Sequence, residues 1–472
     1  MSSPKVIGEG SYGCVHKPAL RCNKNNTLNK SQNKVSKLMM KNEIKNELKE
    51  YKLIDKADPS AEFYLGKPDS CTVSTSYSNT RTLDKCKNLL ETDPKLNIHL
   101  TKYSLLIMND GGKNLQHYAD EMSSVDSTPQ HKLEMEEFWI EAHRILMSLK
   151  MLADNGIVHH DMKQQNIVYN PATKRINLID FGLMTTKSEI VKKAVSSKYY
   201  MALHHWSYPF EYKFINKNAY NEISKKNKET KSIWFLDLIM SLSTNPRHRT
   251  TEAFKTFYST IQDDQKKWPV QENKRFSSDY LLKHFGRTIF NQMHHGKGDY
   301  EKFYHKSIDT IDSYGVGMGF IYVLKKTFHL LDSAFAMDLL QLFMSMIDFD
   351  LESRATVDTI ISRYEDILEE NKVLLRHKKQ FINHKVVQGR ETIDKIEKHI
   401  EKIDEKKLVL SHAELVSNHA EPALQKVCDK GKELNPITNR CNNVCKPSYT
   451  RNAEFKCRKS RNSQQKTRKH KK

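Results

Sequence analysis

His159-His160-Asp161-Met162-Lys163-Gln164-Gln165-Asn166 is the stretch on which the reading turns. It follows a helical pattern in which Phe138, Ile145, Leu149 and Leu152 recur on one face, beginning near Glu134 and stopping at Asn155-Gly156. Two short apolar runs come next, Ile167 to Tyr169 and Ile176 to Ile179, divided by Asn170-Pro171, and they predict a small hairpin. Asp180-Phe181-Gly182 closes the second run, nineteen residues after Asp161.

A carboxylate five residues before an amide, with a lysine between, can divide one task among three groups. Asp161 can orient a hydroxyl and accept its proton, Lys163 can neutralise charge on a transferred phosphoryl group, and Asn166 can ligate a metal from the other side. An aspartate at a strand end beside a glycine, as Asp180 is, suits Mg²⁺ held across two phosphates. Near the N-terminus, Ile7 leads into Gly8-Glu9-Gly10-Ser11-Tyr12-Gly13-Cys14-Val15. Glycines at these offsets let backbone amides approach a polyphosphate. The pattern precedes strand-like residues instead of opening a helix, which argues against a dinucleotide-binding turn; a plain glycine-rich hairpin remains the alternative.

Together these motifs resemble the eukaryotic-type protein kinases. The resemblance implies an α+β, two-lobed fold, with a β-rich first lobe over residues 1–110 and a mainly helical second lobe over 111–372. It makes Val35-Ser36-Lys37-Leu38 the strand whose lysine, Lys37, binds the α/β-phosphates, with an insertion around residues 21–33 looping out. Its partner acid falls on the following helix, where Ile44, Leu48 and Tyr51 set a buried stripe; Glu47 is the choice, with Glu50 and Glu43 as alternatives. Met108 stands as gatekeeper before a short hinge. Lys163, two residues after Asp161, resembles serine/threonine rather than tyrosine kinases. The implied cofactors are ATP and Mg²⁺, the metal held by Asn166 and Asp180.

Three downstream matches point to protein rather than small-molecule kinases. Pro209-Phe210-Glu211 resembles the end of an activation segment, Asp312-Ser313-Tyr314-Gly315-Val316-Gly317 a buried helix, and Asp350-Leu351-Glu352-Ser353-Arg354 the arginine partner of Glu211. Two departures stand out. His160 occupies the place of an arginine that binds activation-loop phosphate, which implies no such phosphorylation is needed. A hundred residues separate Glu211 from Asp312, and apolar stretches within them predict a helical insertion over about 215–305.

Composition sets the outer bounds. The chain has 472 residues, 77 basic against 57 acidic, for a net charge of +20, which calls for anionic partners. No apolar run reaches a membrane span and MSSPKVIGEG is no secretory signal, so the expectation is a soluble, intracellular protein without a membrane partner. In a reducing compartment Cys14, Cys22, Cys71 and Cys86 are expected to be free thiols. Residues 373–420 form a charged helical extension in which Ile393, Ile396, Ile400 and Ile403 share a face. Residues 421–457 hold Cys428, Cys441, Cys445 and Cys457, which either bind zinc or form a metal-free adaptor. The basic tail, 458–472, with eight Lys or Arg and no acid, is read as disordered. It offers a face to nucleic acid or an acidic protein, or is a solvated tail with no fixed partner.

The short hinge, the turn at Ala57-Asp58-Pro59, the insertion, and Gly431-Lys432-Glu433-Leu434-Asn435-Pro436-Ile437-Thr438-Asn439-Arg440-Cys441 resemble kinases and short cysteine modules of large DNA viruses. If viral, the expected places are the host cytoplasm and the virion. The expected activity is transfer of the γ-phosphoryl group of ATP to Ser or Thr of protein substrates. The rivals are a pseudokinase scaffold, a small-molecule phosphotransferase on the same fold, and a nucleic-acid- or capsid-binding protein acting through the tail.

Overall fold

Residues Lys5–Gly10 (β1) and Gly13–Lys17 (β2) pair antiparallel on either side of the glycine-rich segment, with the β-branched Val6, Ile7 and Val15 favouring extended backbone. Lys34–Met40 (β3) leads straight into Lys41–Ala57 (α1), and Asp69–Thr72 (β4) is followed by two short helices, Tyr77–Leu83 (α2) and Lys87–Thr92 (α3). Tyr103–Asn109 (β5) completes an antiparallel sheet in the order β1-β2-β3-β5-β4. The sequence anticipated strands with a single helix here; α2 and α3 are too short to show a helical period. The computed structural model describes residues 3–10, 13–23, 33–198, 207–227 and 299–383, isolated positions nearby, and parts of 432–459. Ser11, Tyr12, most of the 215–305 insertion, and nearly all of the basic tail lie outside the described residues.

Below the sheet come Lys113–Asn114 (β6), Leu115–Met122 (α4) and the long helix Pro129–Asp154 (α5). Thr128 caps α5, accepting from the His131 amide, and Pro129 sits where no amide proton is needed. Thirteen of its residues are buried, so α5 is the axis of the helical region. The segments Ile157–Val158 (β7), Ile167–Asn170 (β8), Arg175–Leu178 (β9) and Thr185–Thr186 (β10) build the small sheets that flank the Asp161 and Asp180 motifs. Lys187–Val195 (α6) and Lys217–Lys225 (α7) follow. Tyr300–Thr327 (α8), Ser333–Met346 (α9), Val357–Glu370 (α10) and Val373–Asn383 (α11) complete the bundle. Mixed sheet and helix of this kind is the expected α+β class. Among the described residues no helix is long and apolar enough to cross a membrane.

Two cores result. A large one fills the helical region around Trp139, Phe320 and Phe343 and reaches up to Tyr51 and Ile54 of α1. A small one covers the face of the sheet under α2 and α3 and includes Cys14, Cys22, Cys71, Cys86, Leu38 and Leu105. The expectation of free thiols is corrected there: Cys14 is bonded to Cys86 and Cys22 to Cys71. A cluster this small gains little from burial alone, and cross-links that limit the unfolded chain offset the deficit.

Residues 401–472 form a compact unit apart from 1–400. In it Lys432–Asn435 (β11) pairs with Arg440–Asn443 (β12), and Tyr449–Arg451 (β13) with Cys457–Lys459 (β14). Cys445 is bonded to Cys457, and Cys441 is disulfide-bonded as well, so these three offer no thiolate to zinc. Cys428 lies outside the described residues.

Candidate active site

Strand register places the first group. Lys37 stands opposite Val15 on one side and Leu106 on the other, and its amine reaches the carboxylate of Glu47 on α1 at 2.7 Å. Of the three acids weighed for that role, Glu47 is the one in contact with Lys37. A Cβ added to Gly13 would lie 2.9 Å from the Leu38 carbonyl and 3.1 Å from the Lys37 side chain. Glycine therefore lets the hairpin rest directly on the lysine strand. Gly10 pairs with Gly13 at the hairpin tip.

The loop His159 to Asn166 supplies the second group. Lys163 Nζ donates to both carboxylate oxygens of Asp161, each at 2.8 Å. Asn166 Nδ2 donates to the Asp161 carbonyl at 2.9 Å and to its Oδ2 at 2.8 Å. The loop is held from behind by Asp312 on α8, whose two carboxylate oxygens accept the amides of His159 at 2.7 Å and His160 at 2.8 Å. Burial drives the Asp312 pKa above its ordinary value, against the pull of His159 and these two amides. The loop lies so near α8 that a Cβ on Gly315 would come 2.2 Å from the Met162 carbonyl.

Asp180 follows β9 with φ +65, a left-handed conformation that few residues other than glycine, asparagine and aspartate accept. Phe181 next to it packs edge-on against Tyr51 of α1 at 5.2 Å and Tyr64 at 5.8 Å. That contact ties the Asp180 segment to the helix bearing Glu47. Among the described residues no hydrogen bond or ion pair occupies the Asp180 carboxylate. Glu50, one turn beyond Glu47, lies 3.4 Å from the position a Cβ on Gly182 would take, and Asp180 lies 3.5 Å from it. The Glu50 pKa is raised to about 7 by burial first, then by the charges of Glu47 and Asp180, with Lys37 opposing. Asp180 and Asn166 bring a carboxylate and a side-chain amide, oxygen donors of the kind a hard divalent cation takes, to the cavity wall.

A cavity of about 1240 Å³ joins these groups; Lys37, Glu47, Asn166 and Asp180 line it, with Val15 and Met108 among its apolar wall. Ile7, Gly8 and Glu9 also line it. Asp161 is joined to that wall through Asn166. Cys14 is not brought to the cavity: its side chain lies on the opposite face of the sheet, in the bond to Cys86.

The Pro209-Phe210-Glu211 segment is anchored in the large core. Arg354 Nη1 donates to Glu211 at 2.5 Å and to Thr310 Oγ1 at 3.1 Å, with the Glu211–Arg354 pair wholly shielded from solvent and the guanidinium 5.2 Å over the Tyr314 ring. Tyr208 donates to the His160 carbonyl at 2.5 Å and stacks on the imidazole, while the Tyr212 hydroxyl lies 3.1 Å from His160 Nε2. Burial lowers the His160 pKa to about 4, so the ring is neutral at pH 7. Sequence reasoning missed both tyrosines; their nearness to Pro209-Phe210-Glu211 was the available signal. It named Glu50 only as a substitute for Glu47.

Residues 101–205 match the family model of the protein kinase domain. No curated protein matches the chain. The matched segment runs through β5, the hinge, the catalytic loop and Asp180-Phe181-Gly182, and it supports a phosphotransferase acting on protein substrates.

Proposed function

We propose that this chain transfers the γ-phosphoryl group of ATP to Ser or Thr hydroxyls of protein substrates. The observation that carries the reading is the meeting of Lys37, Glu47, Asn166 and Asp180 around one cavity, with Asp161 hydrogen-bonded to Asn166. Lys37, oriented by Glu47, binds the α/β-phosphates. Asp161 orients the acceptor hydroxyl and takes its proton, and Lys163 offsets charge on the moving phosphoryl group. A magnesium ion bound by Asn166 and Asp180 would neutralise charge across the phosphates. Lys163 beside Asp161 favours Ser/Thr over Tyr acceptors.

His160 supports constitutive assembly of the site. A neutral imidazole offers a phosphate no charge, and Tyr208 and Tyr212 hold the segment to the catalytic loop instead. Activity lost on phosphatase treatment, with phosphate mapped between Gly182 and Pro209, would contradict this. The turn at Asp58, which accepts the amides of Glu62 and Phe63, and the paired strands at Lys432–Asn435 and Arg440–Asn443 lie in the segments that resemble proteins of large DNA viruses.

The test is a reaction with Mg²⁺-ATP and generic acidic and basic protein substrates, with the modified residues mapped. Phosphoserine or phosphothreonine is expected, and it should vanish in Asp180→Asn. Phosphotyrosine alone would overturn the specificity; equal transfer by Asp180→Asn would overturn the metal assignment.

A further inference from the structure

Residues along a strand alternate between its two faces, and β2 uses both. Val15 and Lys17 line the nucleotide cavity. Cys14 and His16 point the other way, into the small core beneath α2 and α3. Cys86, the residue immediately before α3, is bonded to Cys14 across 72 residues of chain. Glu9 stands opposite Cys14 in the β1–β2 register, and its Oε1 accepts the amide of Lys87, the first residue of α3, at 2.6 Å. Both strands of the glycine-rich hairpin are thus fastened to the start of α3 at the pair adjoining the Gly10–Gly13 tip. His16 Nε2 lies 3.9 Å from the Cys14 sulfur and 3.6 Å from that of Cys86, and burial lowers its pKa to about 4, so an uncharged ring packs beside the bond.

We propose that Cys14 and Cys86 are positioning residues for nucleotide binding: their bond, supported by Glu9, holds the glycine-rich hairpin in place over the cavity. The inference rests on the kinase reading above and deepens it. A hairpin already ordered loses less conformational freedom when nucleotide binds, so the bond acts on affinity more than on the chemical step. Reduction by a dithiol reverses the effect. A thiolate of the dithiol attacks one sulfur, the other leaves and is protonated, and the dithiol's second thiol closes its own disulfide as the remaining cysteine is released as a thiol.

The full-length oxidised protein and Cys14→Ser/Cys86→Ser are to be compared for binding and release of a fluorescent ATP analogue with Mg²⁺. Cys22→Ser/Cys71→Ser serves as the control that removes the other bond of the same core. The expected result is about tenfold weaker binding and faster release in the first variant, with KM for ATP rising more than kcat falls. The control should lose thermal stability and keep its affinity. Amide hydrogen exchange guards against a variant that misfolds: reducing the parent protein with dithiothreitol should speed exchange across Lys5–Lys17 and leave α5 protected. Equal affinity and release in the oxidised parent and the Cys14→Ser/Cys86→Ser variant would overturn this inference alone. Failure of the oxidised parent to bind nucleotide at all would overturn the kinase reading, and this inference with it. Stoichiometric zinc with both thiols free would replace the covalent bond with a metal clasp and overturn the proposal.

Discussion

The glycine-rich hairpin and the catalytic loop face the same cavity, yet they are held by different means. Behind the hairpin lies a small apolar cluster crossed by two disulfides and one capping carboxylate. Behind the catalytic loop lies the large core, with Asp312 gripping two amides, Tyr208 and Tyr212 on His160, and the Glu211–Arg354 pair closing the segment. The difference teaches how core size sets the device. A large core can carry buried charged groups that fix geometry, since their pairing and hydrogen bonds offset desolvation and the many apolar contacts elsewhere supply the stability. A small one cannot, and it restricts the unfolded chain by covalent bonds instead.

The largest expected effect breaks the helical side of that comparison. Arg354→Leu leaves Glu211 as an uncompensated buried charge and should cost about 3–5 kcal/mol in denaturant unfolding. A loss below 1 kcal/mol, on the order of a surface ion pair, would mean that the pair does not brace the segment. Next is the sheet side: Cys22→Ser/Cys71→Ser should cost about 2–4 kcal/mol, the usual range for a bond closing a loop of this kind. An unchanged midpoint would show that the small core stands without cross-links.

Gly315→Ala sharpens the comparison at the contact between α8 and the catalytic loop. Pushing Met162 away from the helix should cost about 1–3 kcal/mol and depress phosphoryl transfer out of proportion to the lost stability. The smallest effect touches both regions alike. His16 and His160 each have a folded pKa of about 4 against the ordinary 6.5. The unfolded chain therefore binds protons that the folded chain refuses, and stability present above pH 6.5 is lost as pH falls toward 4. Replacing either histidine with Gln should flatten that acid limb in thermal melts; an unaltered limb would assign it to other groups.

Much of the site was legible because its chemistry sits in short, ordered motifs. Asp161, Lys163 and Asn166 stand close along the chain, and one turn brings them into hydrogen-bond contact. Glu47 could be singled out because Ile44 and Tyr51 mark the buried face of α1 beside it. The hairpin of β8 and β9 followed from two apolar runs about a turn dipeptide. What escaped reading depends on long-range packing. The bonds Cys14–Cys86 and Cys22–Cys71 span 72 and 49 residues, and nothing local announces them. Expecting free thiols followed from assuming a reducing compartment, which no residue of the sequence reports. Helices α2 and α3 are too brief for a 3.6-residue period, and α8 begins at Tyr300, ahead of the Asp312 motif that marked it in the sequence. Tyr208 and Tyr212 gain their role only when the segment folds back on His160.

The most direct measurement of the central claim compares Asp161→Asn with the parent protein for two quantities on the same preparation: affinity for ATP with Mg²⁺, and transfer of labelled γ-phosphate to protein. If, as proposed, Asp161 handles the acceptor hydroxyl while Lys37 and Asp180 belong to the nucleotide, affinity should be nearly unchanged and transfer abolished. Transfer at the parent rate by Asp161→Asn would contradict the account.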